Sequence, residues 1–300
     1  MEGTAVLAEG TRNKAVSEQK SSFFKSSFFT RLMSGIVLVA LILIFLSAGG
    51  YPLWGGLLAV SLVGVFELYR VMDIHNKPLG FAGYLMTILY YIGILLRPDN
   101  GGLIIFILIL SMVILLSVYV LTFPSYNASQ TMTAFFAIVY VAVMLSYIYQ
   151  CRNLHAGSYL VWLVFICSWG CDTCAYCAGV TLGKHKMAPV LSPKKSVEGA
   201  IGGVIGAVAL GMIFGKVFAS HMEIDAPVLA CGVICLIGSL ISMIGDLAAS
   251  AIKRDHQVKD YGTLIPGHGG ILDRFDSVIF TAPIIYYTAL YFITNSFIWQ

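Results

Sequence analysis

Between Ser250 and Asp276 the sequence sets four cations (Lys253, Arg254, Lys259, Arg274) among four acids (Asp255, Asp260, Asp273, Asp276) within 27 residues. Asp273 and Asp276 are three apart at the predicted start of a helix, so both carboxylates share one face. Carboxylates beside a basic segment suit phosphate chemistry when a hard divalent cation bridges them. Mg²⁺ in particular is commonly held by one or two carboxylates plus substrate oxygens. Gly267, Gly269 and Gly270 flank His268 and let backbone N–H groups approach such an anion closely. A blander reading is an interfacial loop with snorkelling cations and ordinary helix caps. The alternation of both charge signs in an otherwise apolar chain favours the phosphate site.

Two further acids fall inside apolar runs: Asp246, within Ser242–Leu247, and Asp172, within Trp169–Tyr176. An ionisable residue in a membrane segment is costly and usually faces a pocket that holds a partner. Together the two point to a shared polar cavity with a cation in it. Glu67, near the end of an earlier apolar run, reads instead as an interfacial helix residue. In the run Leu191–Gly199, Ser192 followed by Pro193 predicts a helix start with the proline at the first helical position. With Lys194 and Lys195 beside it, that helix N-terminus is a ready anion site. Plain anchoring at a membrane surface accounts for the lysines but not for the serine, proline and glutamate around them.

The elements that must position these residues follow from composition. Hydrophobic residues make up 58% of the 300 and charged residues 11%, with a mean hydropathy of +0.86. A water-soluble domain carries about 25% charged residues, so most of this surface must face lipid. A formal charge of +3 is too small to argue for nucleic acid. A hydrocarbon core about 30 Å thick needs roughly 20 apolar helical residues to cross it. Nine windows meet that test, near 32–48, 51–70, 79–96, 102–122, 131–149, 158–180, 199–219, 226–248 and 275–298. Backbone groups in lipid must be satisfied within the segment, so helices are the sensible form for such runs.

Orientation follows from lysine and arginine. With a cytoplasmic N-terminus, fifteen of the 18 fall on the cytoplasmic side, and Arg97, Arg152 and Lys216 fall opposite. The two richest loops, about 181–198 and 249–274, then share the cytoplasmic face. The expectation is an all-α polytopic membrane protein with its active site there. It divides into a polar cytoplasmic tail (1–30), N-terminal transmembrane helices (31–160) and a C-terminal catalytic transmembrane region (161–300). The tail leads into a long apolar stretch with no small-residue cleavage site, so it does not read as a removable signal peptide. The seven cysteines read as reduced packing residues rather than a disulfide framework. Cys171, Cys174 and Cys177 have the spacing of part of an iron–sulfur run, but such ligands usually come from a loop and these lie along a predicted span.

The stretch Ser250–Asp276 resembles throughout the signature of the phosphatidate cytidylyltransferase (CDP-diacylglycerol synthase) family. That signature runs S-x-hydrophobic-K-R, four residues, K-D, then hydrophobic-P-G-H-G-G-hydrophobic-x-D-R-x-D. Trp169 with Asp172-Thr173, Ala175-Tyr176 and Gly179 is similar to a second family motif, and Ser192-Pro193-Lys194-Lys195 closing on Glu198-Gly199 to a third. The resemblance covers about 165–280; the N-terminal spans match only in hydropathy. Val180 stands where the family pattern has arginine, Leu182 where it has phenylalanine and Ser196 where it has threonine. The missing arginine removes one phosphate contact, with Lys184 and Lys186 nearby.

The resemblance implies transfer of the cytidylyl group of CTP to phosphatidic acid, giving CDP-diacylglycerol and pyrophosphate with Mg²⁺, in a multi-pass protein of the cell (inner) membrane. The attacking group is then the lipid's own phosphate, so no protein nucleophile is needed. On this reading Asp246, Asp273, Lys253 and Arg274 are catalytic. Asp246 and Asp273 hold Mg²⁺, with Asp276 and Asp172 as further ligands or holders of a second cation, monovalent or divalent. Ser192, Lys194, Lys195, Arg254, Lys259, Gly269 and Gly270 bind substrate, and His268 either contacts pyrophosphate or closes the glycine turn. The partners are CTP, phosphatidic acid and the bilayer, and a homodimer is compatible with all of this. The alternatives are a CTP-dependent polyprenol kinase and an anion transporter.

Overall fold

A computed structural model describes residues 29–97, 100–267 and 269–298. The expected polar tail, up to residue 28, and His268 lie outside the described residues. Nine helices among the described residues are long and apolar enough to cross a membrane. They are α1 (Phe29–Ala48), α2 (Gly50–Val71), α3 (Pro78–Leu96), α4 (Gly101–Leu121), α5 (Ala128–Arg152), α6 (Gly157–Leu182), α7 (Val197–Val217), α8 (Pro227–Asp255) and α9 (Leu272–Ile298). The chain is an all-α polytopic membrane protein, with one small hairpin between α6 and α7.

Helix ends follow local chemistry. Pro78 and Pro227 occupy the first turns of α3 and α8, where a missing N–H costs nothing. Asn127 and Gln130 form a reciprocal capping box at the start of α5, with bonds of 2.8 and 3.2 Å. Arg152, at the end of α5, donates from Nε to the Leu46 carbonyl at 3.0 Å and so satisfies an end group of α1. Two helices carry π-helical stretches, Ile138–Val143 in α5 and Ile166–Gly170 in α6. Each extra residue turns the downstream face by about 100°, and the second stretch ends two residues before Asp172.

The C-terminal helices pack through a stripe of small residues. Gly199, Gly203, Ala207, Gly211 and Gly215 recur every four positions along α7 and are buried. A Cβ at Gly203 would lie 2.8 Å from the Ala175 Cβ and 3.1 Å from the Cys171 Sγ, and one at Gly215 would lie 3.1 Å from the Cys231 Sγ. Small residues let helix backbones approach in lipid, where dispersion rather than water expulsion drives association. Cys171 and Cys231 are therefore packing residues seated on glycines. Cys177 is exposed.

The hairpin corrects one expectation. Ser192 does not start a helix: Ser192–Ser196 is strand β2, paired antiparallel with β1 (Lys186–Ala188). Pro193 is tolerated because a two-stranded sheet is all edge. The helix starts five residues later than Ser192, at Val197. Ser196 is its cap, with Oγ accepting from the Gly199 N–H at 3.2 Å.

Candidate active site

Helices α6 and α8 arrive with their C-terminal ends, and α9 departs with its N-terminal end, at the same end of the bundle. The hairpin and the loop after α8 close around them. Between them lies a cavity of ≈ 570 Å³. Its acids are Asp172 from α6, Asp246 from α8, Asp273 and Asp276 from α9, and Asp260 from the loop. Its cations are Lys194 and Lys195 from β2, Lys253 from α8 and Arg274 from α9.

Helix α8 is longer than its apolar window: it runs through Lys253 to Asp255. Asp246 and Lys253, seven residues apart, therefore sit on one face two turns from each other. Lys195 Nζ contacts Asp246 Oδ2 directly. Lys253 Nζ lies 2.9 Å from Asp273 Oδ1. Asp273, only 6% exposed, also accepts at Oδ2 from the Tyr261 N–H (2.8 Å) and the Gly270 N–H (3.0 Å). Asp276 accepts from the Ser277 N–H at 2.8 Å. Arg274 is positioned through its main chain, whose carbonyl accepts from Trp169 Nε1 at 3.2 Å, while its own Nε is buried without a partner among the described residues. Burial holds the Lys195 ammonium below the ordinary lysine range, and the carboxylates of Asp172 and Asp276 pull the other way.

The sequence pattern of the cytidylyltransferase family matches residues 29–292. The chain belongs to this family. It is similar to the phosphatidate cytidylyltransferase of Bacillus subtilis (strain 168), 31% identical over 266 residues, covering 86% of this chain and 96% of the relative. The enzyme of that name from Staphylococcus epidermidis (strain ATCC 35984) is 34% identical over 260 residues, covering 85% and 96%. That from Staphylococcus aureus (strain COL) is 32% identical over 238 residues, covering 77% and 89%.

In this member of the family the fold gathers Asp172, Lys194, Lys195, Asp246, Lys253, Asp273, Arg274 and Asp276 around one cavity. Ser192, Arg254, Lys259, Gly269 and Gly270 lie outside its lining. The Gly270 N–H is taken by Asp273 rather than left open for a substrate anion. Gly267 and Gly269, at φ +76° and +90°, supply left-handed turns that a side chain would resist, and the Ile265 N–H closes the turn on the Gly269 carbonyl at 2.9 Å. Asp260 and Ser196 line the cavity without having been singled out as site residues. Asp260 was visible as an acid in the charged stretch. Glu67 corrects a second expectation: it is 2% exposed, and its carboxylate accepts from the Ile271 (3.0 Å) and Leu272 (2.8 Å) N–H groups at the start of α9. Only its charge inside an apolar run signalled this; the partner is more than 200 residues away.

The donor set fits Mg²⁺. Every acid in the cavity offers carboxylate oxygen, the hard ligand that this ion takes. Among the described residues no three acid, cysteine or histidine side chains converge on one point. A Mg²⁺ ion here would therefore take one or two of these carboxylates and fill its shell with water and substrate oxygens.

Proposed function

We propose that this chain transfers the cytidylyl group of CTP to phosphatidic acid, releasing pyrophosphate and forming CDP-diacylglycerol, on the cytoplasmic side of the cell membrane. One observation carries the reading. Four of the chain's cations and five of its acids meet in one cavity at one end of a membrane-spanning bundle. The names of the relatives support it, and the polyprenol kinase and anion transporter alternatives are not favoured. A transporter site usually lies near the bilayer midplane, whereas these charges crowd one end.

The chemistry follows from the charges. A phosphate oxygen of the lipid attacks the α-phosphorus of CTP, a new P–O bond forms, and the bond to the β-phosphate breaks as pyrophosphate leaves. Both reactants are polyanions, so their approach needs fixed positive charge. Lys194, Lys195, Lys253 and Arg274 supply it, and Arg274 brings at Nε a donor with no partner among the described residues. Mg²⁺, when bound, would supply further neutralisation of phosphate charge, and one or two of Asp246, Asp276 and Asp172 would hold it. Asp273 keeps one lone pair at Oδ1 for the same purpose while it orders Lys253 and the loop. Tyr176 on α6 gives the cavity an exposed aromatic edge suited to a lipid's glycerol end. Incubating purified protein in detergent with labelled CTP, Mg²⁺ and phosphatidate tests the reading: a labelled liponucleotide is expected, and its absence overturns it.

A further inference from the structure

We infer that Glu67 and Arg70 of α2 are positioning residues for the reaction, holding the loop that presents Asp273 although neither lines the cavity. The inference rests on the cytidylyl-transfer reading and names part of its machinery. Two contacts join α2 to the loop. The Glu67 carboxylate takes the Ile271 and Leu272 N–H groups, and Arg70 Nη2 donates to the Tyr261 carbonyl at 2.6 Å. The N–H of that same Tyr261 goes to Asp273 Oδ2. A chain of single bonds therefore runs from α2, through Tyr261 on one side and the first turn of α9 on the other, to the carboxylate that holds Lys253.

The loop is shaped to receive Glu67. A Cβ at Gly262 would come 2.6 Å from the Glu67 carboxyl carbon, and so would one at Gly270. Two glycines thus leave room for one carboxylate that approaches from a distant helix. A buried carboxylate is stable there because free N–H groups at a helix start carry partial positive charge. Its desolvation would be wasteful if it only capped a helix, since a serine or aspartate beside the helix start caps as well. What Glu67 adds is attachment of the α9 start, and therefore of Asp273 and Arg274, to the N-terminal half of the bundle. Catalysis by positioning is sensitive to displacements of about 1 Å.

The test uses the full-length protein in detergent, with turnover normalised to the monodisperse folded fraction. Glu67→Gln keeps the side-chain shape but sets an amide among N–H donors. Its kcat is expected to fall by about tenfold or more, with KM for CTP within about threefold of the unaltered protein. Hydrogen exchange at the amides of Tyr261 and Gly270–Leu272 is expected to speed up, with α6 and α7 unchanged. Arg70→Lys provides a second variant if Glu67→Gln does not fold, with the same direction of change. A role confined to stability would lower the folded yield and leave kcat per folded molecule alone. A kcat within twofold of the unaltered protein, in either variant that folds, overturns the inference. If the unaltered protein makes no liponucleotide, the proposed reaction fails by itself and hydrogen exchange alone decides the positioning: unchanged exchange in the loop then overturns it.

Discussion

Lys253 and Asp273 form a buried ion pair, Nζ to Oδ1 at 2.9 Å, between the last turn of α8 and the first turn of α9. The pair has two tasks that substitution separates. Lys253→Met leaves a buried carboxylate without its cation, which costs about 3 kcal/mol of stability or more, while replacing both partners by uncharged groups costs much less. The single variant is therefore expected to melt at lower temperature, and the double variant Lys253→Met with Asp273→Asn to recover most of the loss. Liponucleotide formation is expected to fall by about 100-fold in both, because neither restores a cation in the cavity. Recovered turnover in the double variant would make the pair structural only.

Asp246 differs from Asp273 in how the protein engages it. Asp273 accepts three bonds from the chain, whereas Asp246 meets Lys195 at Oδ2. Asp246 is accordingly the better placed of the two to turn toward a metal ion and substrate. Asp246→Asn removes the charge and keeps the shape. Turnover is expected to drop by at least about 100-fold, and raising the Mg²⁺ concentration is expected to recover part of it if affinity for the ion is what was lost. Near-normal turnover in correctly folded protein would falsify the metal assignment.

Much of this was legible in the sequence, and the remainder has a common cause. Nine apolar windows gave nine spans with boundaries a few residues off, because hydropathy reports the lipid-facing length but not the polar turns that continue a helix. Helix α8 runs past its window to Asp255, which put Lys253 on a helix face rather than in a loop. The charged stretch was legible because Asp273, Arg274 and Asp276 are close in sequence and the helix period fixes their faces. Glu67 was not, since its role depends on amides more than 200 positions away, and neither periodicity nor spacing carries that information. Ser192-Pro193 was misread for a related reason: the competing strand pairing with Lys186–Ala188 is a tertiary choice that outweighs a local capping preference.

The glycine stripe of α7 makes a prediction about assembly rather than chemistry. A Cβ at Gly203 would lie 2.8 Å from the Ala175 Cβ and 3.0 Å from the Cys171 carbonyl oxygen. Ala175 and Asp172 belong to the same stretch of α6, so prising the helices apart also displaces an acid of the cavity. Gly203→Val is expected to reduce the folded yield severely in detergent, and any folded remainder is expected to turn over poorly. Gly55 is the control: nothing lies within 4 Å of its Cβ position. Gly55→Ala is expected to leave both yield and turnover near the unaltered values, as judged by size-exclusion profile and liponucleotide formation.

Val180 offers a gain rather than a loss. It stands where the family pattern has arginine, it is 68% exposed, and it lines the cavity on the same helix as Asp172. An arginine there reaches into the cavity from its rim without displacing a packed neighbour, and its planar fork suits a phosphate oxygen pair. Val180→Arg is expected to lower KM for CTP severalfold with kcat within about twofold. It is also expected to steepen the loss of CTP affinity as salt is raised, because each added exposed contact with a phosphate is screened. The second effect separates a new charge contact from a change of shape. A raised KM, or a lowered KM with unchanged salt dependence, would mean that Val180 does not face the nucleotide, and that the triphosphate lies on the side of the cavity nearer Lys253 and Arg274.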